Sequence, residues 1–461
     1  MQQQAQSFQS FEETRPQRSG RAWLIALMLA LASIASQFDR VVLNLMVEPV
    51  KAEFGLDDTG FGMLQGVAFG IFYTLCSIPI GRMADRYPRK IVMGGFLALF
   101  SIFSMASGLA RSYWQLFLMR VGVGVGEASV TPASLSLLSD LFPPDRLGRA
   151  VSIFFLSAPF GIGLAFISGG SLLEWLTTSS LLKTGLLAGL QPWQAAFLIV
   201  GFPGLLLAPL LFLMREPRRT GAGADAPLTI AQVLAVIGER KAALVPMFAG
   251  FSMVTLVSYA YNIWAPALFI RVYGWSAAEI GLGFGLIMLI CGTGGTYFAG
   301  WLSDRLTRKG HSDAHLRVAA LGFIGCGFFG ALAPLMPNAM LALMLLAPAM
   351  FLSCMPFPCA GTAIQLIIPN RARGQVTALY ITIITLVGLA IGPMVIGLMT
   401  DHVFRDPADI RYSLAIIVGI AAPLMFLLLA LARAPYRAIR TRQDEAARAA
   451  ASSSSMQDFI N

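Results

Sequence analysis

Long apolar runs separated by short polar ones make up almost the whole chain. A helix needs about 20 predominantly apolar residues to cross a bilayer. Twelve stretches meet that length, at roughly 22–47, 59–80, 91–110, 113–138, 148–173, 193–214, 242–270, 277–302, 316–336, 338–365, 375–400 and 410–433. They contain Gly122, Gly124, Gly126, Pro159, Pro356 and Pro358, which membrane helices tolerate because neighbouring helices re-satisfy the backbone. The pattern predicts an all-α membrane protein of twelve transmembrane helices. The first run is too long for a signal-peptide core and lacks a small-residue cleavage site.

The longest polar link, 215–241, divides six spans from six. It opens with Arg215-Glu-Pro-Arg-Arg, and its 228–244 part reads as a short amphipathic helix on the membrane surface. The expected organisation is a tail over 1–21, a six-helix bundle over 22–214, the linker, a second bundle over 242–433 and an Arg/Ala/Ser-rich tail over 434–461, largely disordered. The mixed 174–192 segment predicts a short helix at the outer interface.

Composition narrows the function. Hydrophobic residues make up 56% of the chain and charged residues 12%, about half the roughly 25% of soluble domains. This excludes a cytosolic enzyme, a nucleic-acid module and a disordered protein. The net charge of +9 reflects topology. Counted by loops and tails, 25 Lys and Arg fall on the side of the termini and 6 on the other, so the positive-inside rule places both termini in the cytoplasm. With 28 Arg against 5 Lys, a GC-rich genome and a bacterial inner membrane are expected. The five cysteines read as apolar packing residues, and the three histidines are assigned to loops. No Walker sequence, Ser-His-Asp set or metal-ligand spacing is present, so neither ATP drive, catalysis, a cofactor nor a metal is expected.

The halves echo each other. Gly81-Arg-Met-Ala-Asp85-Arg86-Tyr-Pro-Arg89-Lys90 between spans 2 and 3 matches Gly300-Trp-Leu-Ser-Asp304-Arg305-Leu-Thr-Arg308-Lys309 between spans 8 and 9 at Gly, Asp, Arg, Arg and Lys. Two parallel related halves are a transporter architecture with a central site. This doubled loop closely resembles the signature of the major facilitator superfamily, over about residues 20–433, although Pro88 and Thr307 stand where the family usually has a second glycine. Gln37-Phe38-Asp39-Arg40 in span 1 and Arg120-Val-Gly122-Val-Gly124-Val-Gly126-Glu127 in span 4 resemble its spinster-like branch. That resemblance implies proton-linked export of lysophospholipids and sphingoid lipids. Organic-anion symporters of the same superfamily also carry an Asp-Arg in span 1 and a Gly-x-x-Glu in span 4.

A charge inside the hydrocarbon costs several kcal/mol, so it marks function by default. Away from the span ends, where Glu279, Arg317, Arg411 and Arg433 stand, the second half has no charged residue within its spans, whereas the first has Asp39, Arg40, Arg120 and Glu127. Ion coupling therefore belongs to the N-terminal bundle. Arg120 and Glu127 lie two turns apart on nearly one face, about 10 Å in rise, too far to pair directly. The three glycines between them admit a close helix, and span 1 packed there could bring Asp39 near either. Burial favours a neutral carboxyl and a nearby Arg the charged one, so a moving Arg would gate a proton. Two readings stay open for Asp39, a proton site or a snorkelling pair with Arg40 at the outer interface. Arg40 reads as an anchor, and Arg120 as a head-group ligand or a partner of Asp39.

Gln65, Tyr73, Tyr259, Asn262, Gln365, Tyr380 and Thr382 are candidate cavity residues, against the alternative of helix–helix hydrogen bonds. Asp85 and Asp304 are expected near helix N-termini, where partial positive charge favours a carboxylate. Arg86, Arg89, Arg305 and Arg308 can pair across the bundle interface. The family resemblance implies that these contacts hold the cytoplasmic side shut. The expected partners are a proton, an amphiphilic or lipid substrate and membrane lipids, with no nucleic acid, for a monomeric transporter rocking about a central cavity. An organic-anion:proton symporter and an uncoupled lipid facilitator are the alternatives.

Overall fold

The computed structural model describes residues 19–183, 187–214, 216–217 and 229–460. The first tail, and the linker from 218 to 228, lie outside these. Among the described residues, twelve helices are long and apolar enough to cross a membrane: α1 Gly20–Leu45, α2 Asp58–Ala84, α3 Arg89–Ser107, α4 Tyr113–Leu141, α5 Arg149–Thr178, α6 Pro192–Leu213, α7 Lys241–Tyr273, α8 Ala277–Arg308, α9 Ala314–Leu335, α10 Ala339–Ile367, α11 Arg373–Phe404 and α12 Pro407–Gln443. Their ends are chemically marked. Ser112 and Asn338 accept hydrogen bonds from Gln115 and Leu341 as N-caps, and Ser276 closes a capping box with Glu279. Gly274, at φ +69°, ends α7 in the left-handed conformation that favours glycine.

Several helices outlast their apolar runs. The doubled motif is helical through Arg86 and through Arg308, so Asp85 and Asp304 belong to C-terminal turns and not to helix N-termini as expected. At such an end the dipole favours the cations beside them. His315 stands in the first turn of α9 and His402 in the last turn of α11, rather than in loops. The final span and tail form one helix, Ile410–Ile460. Disorder was expected there, but the alanine, arginine and glutamate of the tail are strong helix formers. The linker helix is present as Ile230–Glu239, capped by Thr229 and Gln232. Between α5 and α6 the described residues hold only a short turn, Ser180–Leu182.

The first six spans form one bundle and the last six another. In the first, α3 packs on α6 and α1 on α5; in the second, α12 packs on α7 and α9. Large side chains such as Leu24, Leu75, Ile102, Leu118, Ile290, Phe328 and Leu427 point outward, as a bilayer-facing surface requires. The apolar interior is divided unequally. One cluster joins the C-terminal bundle to Val41–Val50, Phe61, Leu116, Phe166 and Trp193 of the N-terminal bundle, at the end away from the termini. A second, centred on Leu29, Phe69, Leu97, Phe100 and Leu137, belongs almost wholly to the N-terminal bundle. The bundles thus share a core at their distal end.

Candidate functional site

The four charges within the N-terminal spans meet as two crossed pairs. Asp39 and Arg120 are fully buried, with Arg120 Nη1 donating to Asp39 Oδ2 at 2.5 Å. Ser104 of α3 donates to the other Asp39 oxygen. One residue along α1, Arg40 reaches Glu127 with both Nε, at 3.1 Å, and Nη2. The snorkelling pair of Asp39 with its neighbour Arg40 does not form. Each is satisfied on α4 instead, because residues two turns apart on α4 face two successive residues of α1.

The glycines between Arg120 and Glu127 do admit neighbours, though these come from α2 and α3. A Cβ at Gly124 would stand 2.6 Å from the Phe69 carbonyl oxygen, and one at Gly126 would stand 2.5 Å from the Phe100 nitrogen. This close approach carries Phe69 in between the pairs. Its ring centroid lies 4.5 Å from the Arg40 guanidinium carbon and 5.5 Å from that of Arg120. Tyr73 stacks on Phe69 and also lies under Arg40 at 5.2 Å. Phe69 stands in a π-helical segment of α2, Leu64–Ile71, of the kind often found at functional sites. Nothing in the sequence singled out Phe69, since one phenylalanine among 32 carries no mark until its neighbours are known.

The two pairs differ in access. Asp39 and Arg120 have no exposed side-chain surface, whereas Arg40 keeps 15% and Glu127 5%. Arg120 also leaves Nε and Nη2 buried without a partner, unspent donors in a low-dielectric site. From the other bundle, Tyr259 of α7 packs against the cluster that contains Phe69. Gln65 donates to Asn44, which in turn donates to the Asn262 carbonyl of α7 at 3.0 Å. Asn262 spends its own amide on Ser258 and leaves Oδ1 buried and unpartnered. Gln65, Tyr73, Tyr259 and Asn262 therefore gather around the bundle interface. Gln365, Tyr380 and Thr382 have other partners or none of these. Gln365 is exposed, Tyr380 packs on Phe248 and Phe251, and Thr382 donates to Ala378 in its own helix.

At the distal end a second set of charges joins the bundles. Arg271 of α7 donates to both oxygens of the buried Asp58, at 2.7 Å each, and to Glu48 at 2.7 Å. Lys51 also donates to Asp58. Asp401 of α11 accepts from the Thr59 backbone and hydroxyl at 2.6 Å each. These residues sit just beyond the apolar runs and read in sequence as ordinary loop charges. Around them the backbones touch. A Cβ at Gly66 would lie 2.4 Å from the Ala390 oxygen of α11, and one at Gly281 of α8 would lie 2.4 Å from the Phe166 oxygen of α5.

The motif residues at the terminal end behave otherwise. Arg86, Asp304, Arg305 and Arg308 are exposed, and the Asp85 side chain lies outside the described residues. Arg89 does not pair across the bundles. It is buried within its own, held by Asp140 at 2.5 Å, Glu216 at 3.3 Å and Ser136 at 3.0 Å, where it ties α3 to the ends of α4 and α6. Among the described residues no group of three or more His, Cys, Asp or Glu could hold a metal ion.

Twelve spans in two related bundles, closed at one end around buried charges, are a membrane-transporter architecture. The family profile of the Major Facilitator Superfamily matches residues 29–393, and the chain belongs to that family. Within it the chain is similar to spinster-like transporters. It is 28% identical over 410 residues to protein spinster homolog 1 of Homo sapiens, covering 84% of this chain and 74% of that one. It is also 28% identical over 407 residues to an MFS-type efflux pump of Mycolicibacterium smegmatis, covering 87% and 90%. The fold matches the crystal structure of a bacterial homolog of the human lysosomal transporter Spinster, described as inward-facing and unoccupied. There the TM-score is 0.73 with 24% identity, over 91% of this chain and 97% of that one.

Proposed function

We propose that this chain is a proton-coupled transporter of an amphiphilic, lysolipid- or sphingolipid-like substrate, working by alternating access. The observation that carries this is the unequal access of the crossed pairs. Glu127 and Arg40 sit at the edge of the N-terminal bundle among aromatic rings, and Tyr259 faces them from the other bundle. A proton reaching Glu127 neutralises it and frees Arg40, whose guanidinium can then meet an anionic head group. The sealed Asp39–Arg120 pair keeps α1 registered on α4 while this exchange occurs. The C-terminal wall offers neutral and aromatic surface that suits a tail. Similarity to spinster homologs and to an efflux pump supports transport.

With both termini in the cytoplasm, which the Lys and Arg distribution supports, the closed distal end would face outward and this conformation would be inward-facing. Arg271, Asp58 and Asp401 then form the outer gate. The motif residues Asp85, Arg86, Asp304, Arg305 and Arg308 would engage when the inner side shuts.

The test is uptake of lysophosphatidylcholine and lysophosphatidylglycerol into proteoliposomes under an imposed pH gradient. Gradient-dependent flux that exceeds flux without a gradient supports the proposal. Equal flux in the two conditions would reduce the protein to an uncoupled facilitator.

A further inference from the structure

The last turn of α2 and the outer face of α3 enclose a groove that the transport site does not use. Its volume is about 430 Å³, and its lining includes Met83, Tyr87, Ile91, Gly95, Phe96 and Leu99. Ile91, Gly95 and Leu99 recur every four residues, so they form one strip along α3, about 12 Å in length. Gly95 makes the floor, since a Cβ placed there would have nothing within 4 Å. Basic residues adjoin its lining in the chain at one end of the strip, Arg82 before Met83, Arg86 before Tyr87 and Lys90 before Ile91. Arg82 and Arg86 are exposed and Lys90 is half-buried. Nearby Arg89, by contrast, is already neutralised by Asp140 and Glu216.

We propose that this groove is a binding site for an anionic phospholipid of the surrounding bilayer, distinct from the transported substrate. The acyl chain lies along Ile91, Gly95 and Leu99, and the phosphate meets Arg82, Arg86 and Lys90. A long apolar slot with cations at one end has the shape and charge of a single lipid. It opens within the membrane-spanning part of α3, where a bound peptide strand would leave its backbone polar groups unsatisfied in hydrocarbon. Basic residues beside an anionic leaflet each strengthen association about five-fold, so the rim selects charge while the groove selects a chain. The occupied groove would hold the ends of α2 and α3 together next to the Gly81–Lys90 motif.

The test is native mass spectrometry of the detergent-purified full chain titrated with dioleoyl phosphatidylglycerol or dioleoyl phosphatidylcholine. Wild type should retain phosphatidylglycerol several-fold more strongly. Gly95→Leu should abolish that retention, because the new side chain fills the floor without meeting a neighbour. The pair Arg82→Gln and Lys90→Gln should cut it by about five-fold per residue and leave phosphatidylcholine unchanged. Both variants should keep the wild-type thermal midpoint, and the charge pair tests the site even if Gly95→Leu folds poorly. Equal retention of the two lipids by wild type, or undiminished phosphatidylglycerol retention in the charge pair, would overturn the proposal.

Discussion

In the N-terminal bundle the buried polar groups are ions, and they answer one another across helices: Asp39 with Arg120, Arg40 with Glu127. Away from the ends of the C-terminal spans they are neutral, and several are satisfied on backbone carbonyls. Ser252 donates to Phe248, Thr255 to Ser252 and Ile384, Ser353 to Met350, and Tyr261 to Gly330. The halves descend from one pattern, as the doubled motif shows, yet only one carries charge at depth. Neutral groups bonded to carbonyls hold helices in place. Ion pairs in a low-dielectric site also respond to a proton, because neutralising one member strands the other. A similar contrast marks the terminal ends, with its sign reversed. The first bundle is tied there by a cation, Arg89, held by Asp140 and Glu216, and the second by an anion, Asp313, held by Arg317 and Arg433.

The comparison breaks most visibly at its most buried pair. Asp39→Asn or Arg120→Ala alone should destabilise the protein by about 3–5 kcal/mol, the cost of stranding a buried charge. The double variant Asp39→Asn, Arg120→Gln should recover much of that. Thermal unfolding in detergent measures all three, and additive losses would deny the pairing. Arg120→Lys should fold better than Arg120→Ala but transport poorly, since an ammonium cannot reproduce the fork of a guanidinium.

The distal gate comes next. Asp58→Asn or Arg271→Gln should shift the population away from the distally closed state by about 1–3 kcal/mol. Gly66→Ala should do so through contact with Ala390. Spin-label distances across the distal ends should lengthen in each variant, and distances identical to wild type would show that the shared apolar core alone closes this face. A smaller change is expected at Phe69. Phe69→Leu removes a ring between two guanidiniums and should cost about 0.5–2 kcal/mol, whereas Phe69→Tyr should retain most of it. Equal unfolding midpoints for the two variants would reduce Phe69 to packing.

The smallest effect concerns the sign-reversed tie. Burial opposes ionisation of Asp313, but hydrogen bonds from Arg433 and Arg317 outweigh it and hold the carboxyl below its usual range. A depressed folded value means a stabilisation present above the unfolded carboxylate range, near 3.9, and lost as the pH falls through the folded value. The melting difference between wild type and Asp313→Asn should therefore be constant at neutral pH and vanish in strong acid. A difference that persisted there would point to geometry and not charge.

Much of this was legible in the sequence because a bilayer imposes a length and a polarity rule. The twelve spans, the linker helix and the four intramembrane charges follow from it. What stayed hidden depends on neighbours distant in the chain. Arg89 looked like a gating residue because its motif is repeated, yet Asp140 and Glu216, 51 and 127 residues away, bury it. Arg271, Asp58 and Asp401 looked like loop charges because they stand one residue outside the apolar runs. Asp85 and Asp304 were assigned to the wrong helix ends because the helices continue past the point where hydropathy falls.

The central claim is that coupling resides in Glu127 and its partner Arg40. It is tested most directly by lysophosphatidylcholine movement in proteoliposomes, comparing wild type with Glu127→Gln, with and without a pH gradient. The account predicts that Glu127→Gln still exchanges substrate across the membrane at equal pH but no longer responds to the gradient. Gradient-driven accumulation by Glu127→Gln at the wild-type rate would contradict it.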